Sequence, residues 1–317
     1  MSCDAILVGD GPIRHLCGEE AAAYRGSGFV WIHTEGTEET DLVSLAAQGV
    51  PDVAAHALVA TETRPRCDRI DEGALVNLRG LAAHERDDSD RLVSIRLWVS
   101  RGKVNSVTRY PLAASAAVAA QMDAGAILDP GDLVAAFARA ISKELDPQVA
   151  DLGDRLDDCE SDLEPHRVYR LRSAIAEIRS EAIAFRRFVA PNRDALQLLA
   201  SLDFDWLAED DRLHIREAAD RFARMAEELE AVRERAALLH EQLTDMRAEQ
   251  MDGRSLLISM LALIFLPLTF ITGLLGMNVE GIPYAEESWA FWGITGFCVA
   301  VAFAIAAYFA RKRWLSR

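Results

Sequence analysis

Ser255 to Pro283 reads SLLISMLALIFLPLTFITGLLGMNVEGIP. Leu256 to Leu275 carries no formal charge, and as a helix it would rise about 30 Å, the depth of a bilayer's hydrocarbon core. It closes on Gly276-Met277-Asn278. A short acidic loop follows, then a second apolar run from Trp289 to Phe309. No Lys or Arg occurs between Arg254 and Arg311, which predicts two membrane spans. Arg247 and Arg254 precede the first span, and Arg311, Lys312, Arg313 and Arg317 follow the second. The loop between holds only Glu280, Glu286 and Glu287. The positive-inside rule then puts both chain ends in the cytoplasm and the loop outside. Trp289, Phe291 and Trp292 at one end of the second span, and Tyr308, Phe309 and Trp314 at the other, suit interfacial belts.

The chain has 317 residues, so about 250 lie before the first span, enough for a sizeable core. A formal charge of -16 disfavours a nucleic-acid partner and suits a body that gathers cations. Five cysteines without a Cys-x-x-Cys pair read as reduced thiols rather than a disulfide framework.

Residues 1–145 alternate strand and helix signals. Phe29 to His33, Arg66 to Ile70, Ala74 to Leu81, Leu92 to Val99 and Lys103 to Tyr110 read as strands. Asp71-Glu72-Gly73 and Arg101-Gly102 read as hairpin turns. Glu38 to Gln48, Pro51 to Ala60, Ala113 to Asp123 and Pro130 to Leu145 read as helices, giving an α/β domain: a mixed sheet with covering helices. Asp87-Asp88-Ser89-Asp90 reads as a solvated loop. Residues 146–254 are helical. Pro147 to Leu163 is expected as one helix, Pro165 to Val189 as a second ended by Ala190-Pro191-Asn192, and Asp194 to Leu199 as a short third. A long helix from about Asp210 follows. Its seam of Ile215, Ala218, Phe222, Met225, Leu229, Val232, Ala236, Leu239, Leu243 and Met246 alternates steps of three and four. Continued to Leu275, it would be about 100 Å long. Residues 255–317 then form the membrane domain: span 255–275, outer loop 276–288, span 289–310 and a cytoplasmic tail.

Two stripes divide the first span. Leu257, Leu261, Ile264, Leu268, Ile271 and Leu275 are bulky and apolar; Ser255, Ser259, Ala262, Leu266, Thr269 and Gly273 are mostly small or hydroxylated. The small stripe admits two readings, close helix packing or a pore wall. Followed back into the cytoplasm it meets Asp252, Asp245, Glu241, Glu234 and Glu227, a row of acids that would line a negative vestibule. As the solvated back of a coiled coil, the same acids would instead pair with Arg233, Arg235 and Arg247. Two spans cannot enclose a water-filled path alone, so a pore requires several copies about an axis.

Gly276-Met277-Asn278 at the outer end of the first of two C-terminal spans resembles the signature of the CorA superfamily of divalent-cation channels and transporters. Gly281-Ile282-Pro283 after it, with RPRCD (Arg64 to Asp68), ALVNLRG (Ala74 to Gly80) and VSIRLWV (Val93 to Val99), is similar to the zinc-transporting ZntB branch. The resemblance covers nearly the whole chain. It implies a homopentamer in a bacterial inner membrane with a cytoplasmic α/β funnel, a long pore-lining helix and an outer ring of Asn278. It also implies transport of zinc, with cobalt, nickel or cadmium as further cargo. Transport direction and proton coupling stay open. Glu280 beside the signature departs from the branch and would strengthen attraction of cations, together with Glu286 and Glu287.

A ring of Asn278 amide oxygens would accept hydrogen bonds from a cation's hydration water, so the metal is held through water without costly stripping. Gly276 would let the chain turn at the helix end, and Met277 would pack the turn. No resident cofactor is expected. There is no Gly-x-x-x-x-Gly-Lys-Ser/Thr loop, and no nucleophile–base pair recommends an enzyme. A magnesium or cobalt channel is the nearest rival; a membrane-anchored coiled-coil metal sensor or scaffold is the rival from another class.

Overall fold

A computed structural model describes residues 2–9, 13–16, 18–24, 26–36, 41–61, 64–84, 91–164, 167–277 and 287–315. Seven strands form one sheet in the order β2-β1-β3-β7-β6-β5-β4. They are β1 (Ser2–Val8), β2 (Arg14–Leu16), β3 (Phe29–Glu35), β4 (Arg66–Ile70), β5 (Gly73–Leu81), β6 (Leu92–Ser100) and β7 (Lys103–Thr108). Among the described residues, only the β3–β7 pair is parallel. Both expected turns are two-residue hairpin connections, with Ile70 opposite Gly73 and Ser100 opposite Lys103. Asp71 (φ 49) and Gly102 (φ 78) supply the left-handed backbone that such tight turns require.

Strand alternation sends side chains to two faces. On one lie α1 (Gly18–Ala23), α2 (Asp41–Ala47) and α3 (Asp52–Val59). There Leu45, Ala54, Leu58, Leu75, Trp98 and Val107 form a buried cluster. The other face takes α4 (Ala114–Asp123) and α5 (Pro130–Ser161), where Phe137 meets Trp31 edge-on at 5.8 Å. The motifs that carry the zinc-branch resemblance build the β4–β5–β6 meander and tie helices to it. Arg96, nearly fully buried, donates to the Leu58 carbonyl at the end of α3, and Asn77 donates to the Arg64 carbonyl.

Two expected helix breaks are absent. α5 runs through Pro147, and α6 (Val168–Ser201) runs through Pro191. Proline removes one intrahelical bond, but the buried stripes run straight past both positions. In α5 the stripe is Leu145, Val149, Leu152 and Leu156; in α6 it is Ile178, Ala182, Phe185, Val189, Asn192, Leu196 and Leu199. Packing along these seams outweighs one lost bond. Asn192 sits in its seam and is fully buried. Its amide accepts from the Arg79 N–H (3.0 Å) and donates to the Arg79 carbonyl (2.9 Å), satisfying β5 beyond the point where β4 ends.

α7 (Glu209–Leu275) is a single helix of 67 residues through Pro267, and α8 (Ala290–Leu315) follows. Ile215 through Leu243 of the heptad seam are buried, and Met246 is half-buried. Ion pairs tie the three long helices together: Arg155 to Glu181 (2.9 Å), Arg186 to Glu230 (2.9 Å), and Arg235 to Asp157 and Glu160 (2.5 and 2.6 Å).

The chain divides into two compact units: Met1–Leu163 with Tyr169–His240, and Glu164–Val168 with Glu241–Arg317. In the second, α7 and α8 are each long and apolar enough to cross a membrane, and almost nothing of their apolar windows is buried within the chain. Phe270, Trp292 and Phe303 are each about 70% exposed or more, an arrangement that needs lipid or further protein around it.

Candidate ion pathway and the root of its helix

The small stripe of the first span is open along its whole length: Ser255, Ser259, Ala262, Leu266, Thr269 and Gly273 are all exposed. Shielding falls on the opposite side, where Ile264, Leu268, Ile271 and Leu275 are half-buried. Leu257 and Leu261, nearer the N-terminal end of that bulky stripe, are exposed. α8 has one shielded stripe as well, in which Cys298 is buried and Ile294, Val301, Ile305 and Phe309 are half-buried. The Thr269 hydroxyl donates to its own helix at the Phe265 carbonyl (2.7 Å). With its proton so engaged, the oxygen has only lone pairs to present outward, which suits a cation's water shell.

Below the span, Glu227, Glu234, Glu241, Asp245 and Asp252 are all exposed. Two arginines expected as their partners are engaged elsewhere: Arg233 pairs with Glu230, and Arg235 with Asp157 and Glu160. At the C-terminal end of α7, the Gly276 N–H donates to the Thr272 carbonyl (2.9 Å), finishing the last turn of the helix. Gly276 lies in a turn at the end of α7 without taking the left-handed conformation. Met277 is exposed, and so is Glu287, whose carbonyl accepts from the Ala290 N–H at the start of α8. Asn278, Glu280 and Glu286 lie outside the described residues, as does the Asp87–Asp90 loop.

One cluster escaped sequence reasoning. Asp129, Asp132 and Asp211 each place a carboxylate oxygen within 4.8 Å of the others. Asp129 is the N-cap of α5 and accepts from the Asp132 N–H (2.9 Å), while Asp132 accepts from the Leu128 N–H (2.9 Å). Asp211, in the first turn of α7, is 2% exposed and accepts from the Ala208 N–H (2.9 Å). Its oxygen lies so near Gly131 that any Cβ there would come within 2.2 Å of it; only glycine permits the approach. Burial, then the Asp129 charge, pushes the Asp211 carboxyl up to about 7, and a hydrogen bond with Asp132 adds to the rise. Burial also raises Asp129. Helix-start acids were visible in the sequence, but their convergence across two distant helices was not.

The same region anchors α7. The Trp206 indole donates to the Glu72 carbonyl in the β4–β5 turn (3.2 Å) and stacks on Phe204. Arg212 donates to the carbonyls of Ala200 and Leu202 at the end of α6.

The model of the family described as CorA-like Mg2+ transporter protein matches residues 26–313. The chain belongs to the CorA-like family. CorA-like proteins are transporters rather than enzymes, and this one shares their arrangement: an N-terminal mixed α/β sheet domain, long helices and two C-terminal apolar helices. Among its relatives are the Zinc transport proteins ZntB of Klebsiella pneumoniae (31% identical over 90% of this chain and 88% of that one) and of Pectobacterium atrosepticum (30% over the same shares). The full-length CmaX protein is 29% identical, with a TM-score of 0.78 over 99% of this chain and 98% of its own. The CorA magnesium transporter of Methanocaldococcus jannaschii gives a TM-score of 0.80 over 98% of both chains; at 15% identity that is a likeness of fold alone.

Proposed function

We propose that this chain is a divalent-metal transporter whose main cargo is zinc. It works as a homo-oligomer, five copies by family resemblance, in a bacterial inner membrane with both chain ends in the cytoplasm. The first span lines the path, an Asn278 ring at its outer mouth binds the hydrated cation through water, and the outer-loop acids Glu280, Glu286 and Glu287 concentrate cations there. Gly276 and Met277 complete the signature. Glu227, Glu234, Glu241, Asp245 and Asp252 form the cytoplasmic vestibule.

The observation that carries the cargo is the kinship: relatives named for zinc transport align over 90% of this chain. The pore wall is supported by the open small stripe set opposite the shielded bulky one. A face shielded within one copy is poorly placed to face a shared axis, which leaves the small stripe for the water-filled side. Magnesium is the second reading, favoured by the family description.

Zinc and magnesium uptake into liposomes holding the purified full-length protein, at matched gradients, separates the two. Zinc flux is expected to exceed magnesium flux, and the reverse order would reassign the cargo. Asn278→Leu is expected to abolish flux with the oligomer intact; unaltered flux would remove the filter from residue 278. No flux of either ion, with the oligomer intact, would favour a scaffold or sensor.

A further inference from the structure

The vestibule, the stripes and the signature leave the Asp129–Asp132–Asp211 cluster unused. We propose that it is a proton-operated latch at the cytoplasmic root of α7. With a proton on Asp211 it holds the first turn of α7 on the first turn of α5, and loss of that proton loosens the root. The inference about transport rests on the reading given above; the latch itself does not.

Three features of the geometry carry it. First, the three carboxylates converge within 4.8 Å, and the one on Asp211 is almost wholly buried, a setting that favours its protonated form. Two bare carboxylates at that separation repel, and Asp211 is too buried for water to screen the repulsion. Second, Gly131 lets the Asp211 carboxyl rest against the α5 backbone, so the contact between the two helix starts is made by the titrating group itself. Third, a cavity of about 250 Å³ opens beside the cluster. Asp129 and Ala208 line it together with Arg101, Asp205, Trp206 and Phe29, giving a water route by which the proton can come and go.

The surrounding charges do not replace the proton. On α7, Glu209 and Asp210 add negative charge, and Arg212 is held by the carbonyls of Ala200 and Leu202 and by Asp203. His214 lies beside Asp210 and Glu217, and Arg139 of α5 acts on Glu217 rather than on the cluster. From the β6–β7 turn Arg101 shares the cavity with Asp129, and Asp205 faces it from the segment before α7. Deprotonation therefore adds charge to a site that is already acidic. The affected helix is the one that continues to Leu275.

The test is hydrogen–deuterium exchange on the full-length protein at about pH 6 and about pH 8, expressed as protection factors so that the intrinsic pH dependence cancels. Peptides covering 128–133 and 207–214 are expected to lose about tenfold in protection in the wild type between the two pH values. Asp211→Asn, which mimics the protonated form, is expected to hold the same protection at both. Asp132→Asn serves as the second variant and should move the wild-type midpoint to lower pH. Equal pH dependence in wild type and both variants would overturn the latch, as would a wild type whose protection does not change. In liposomes, zinc flux should vary with pH on the cytoplasmic face in the wild type and not in Asp211→Asn; flux that varies equally in both overturns control of transport by the latch. A protein that carries no metal but still shows the exchange difference refutes the transport reading and keeps the latch.

Discussion

Asp211→Asn also has a thermodynamic consequence whose sign follows from the direction of the shift. The folded carboxyl titrates at about 7 against an ordinary 3.8, so across that window the folded state binds the proton and the unfolded state does not. Stability then falls as pH rises from about 4 to about 7, and the full deficit persists above. Replacing the acid by its neutral isostere is expected to leave stability near the wild-type value at about pH 4 and to raise it by on the order of 2–4 kcal/mol at about pH 8. Thermal unfolding of the two proteins at both pH values checks this; a variant less stable at the higher pH would contradict it. None of this was legible along the chain. Asp129 and Asp211 lie far apart along the chain, and nothing local reports that the two helix starts are neighbours. By contrast Gly102 and Asp71 declared their turns, because left-handed backbone demands particular residues at particular places.

At the scale of elements, periodicity proved more informative than punctuation. The strands from Phe29 to Thr108 and the seam of α7 were readable because alternation and three-four spacing persist over many residues. Pro147 and Pro191 suggest breaks by the local chemistry of proline, but a tertiary seam decides the outcome. Asn192 shows what the seam holds: a polar residue in an apolar row reads as a helix end, whereas here it serves as the partner that β5 lacks beside Arg79. Asn192→Ala would strand the Arg79 N–H and carbonyl, both tied to it within the protein. A loss of about 2–4 kcal/mol is expected, since each buried group left unpaired costs about 1–3 kcal/mol. The measurement is denaturant unfolding of the full-length protein; a loss below about 0.5 kcal/mol would mean that water takes over both bonds.

For the whole molecule, the formal charge of -16 acquires a direction once its acids are placed. Five of them, Glu227, Glu234, Glu241, Asp245 and Asp252, lie exposed along α7, the helix whose C-terminal part is apolar enough to cross a membrane, and Arg233 and Arg235 are bound to other acids. A row of like charges focuses a field that draws cations, and such a field is screened by salt, whereas a packing defect is not. Changing all five to Gln or Asn is therefore expected to lower zinc flux several-fold at about 0.01 M ionic strength, where the screening length is about 30 Å. At about 1 M that length falls to about 3 Å, and the difference between variant and wild type should nearly vanish. Initial rates in liposomes across a salt series give the answer directly. A deficit that persists unchanged into high salt would mean that these residues hold the helix rather than attract the cargo, and the vestibule would then have to be sought on another face of α7.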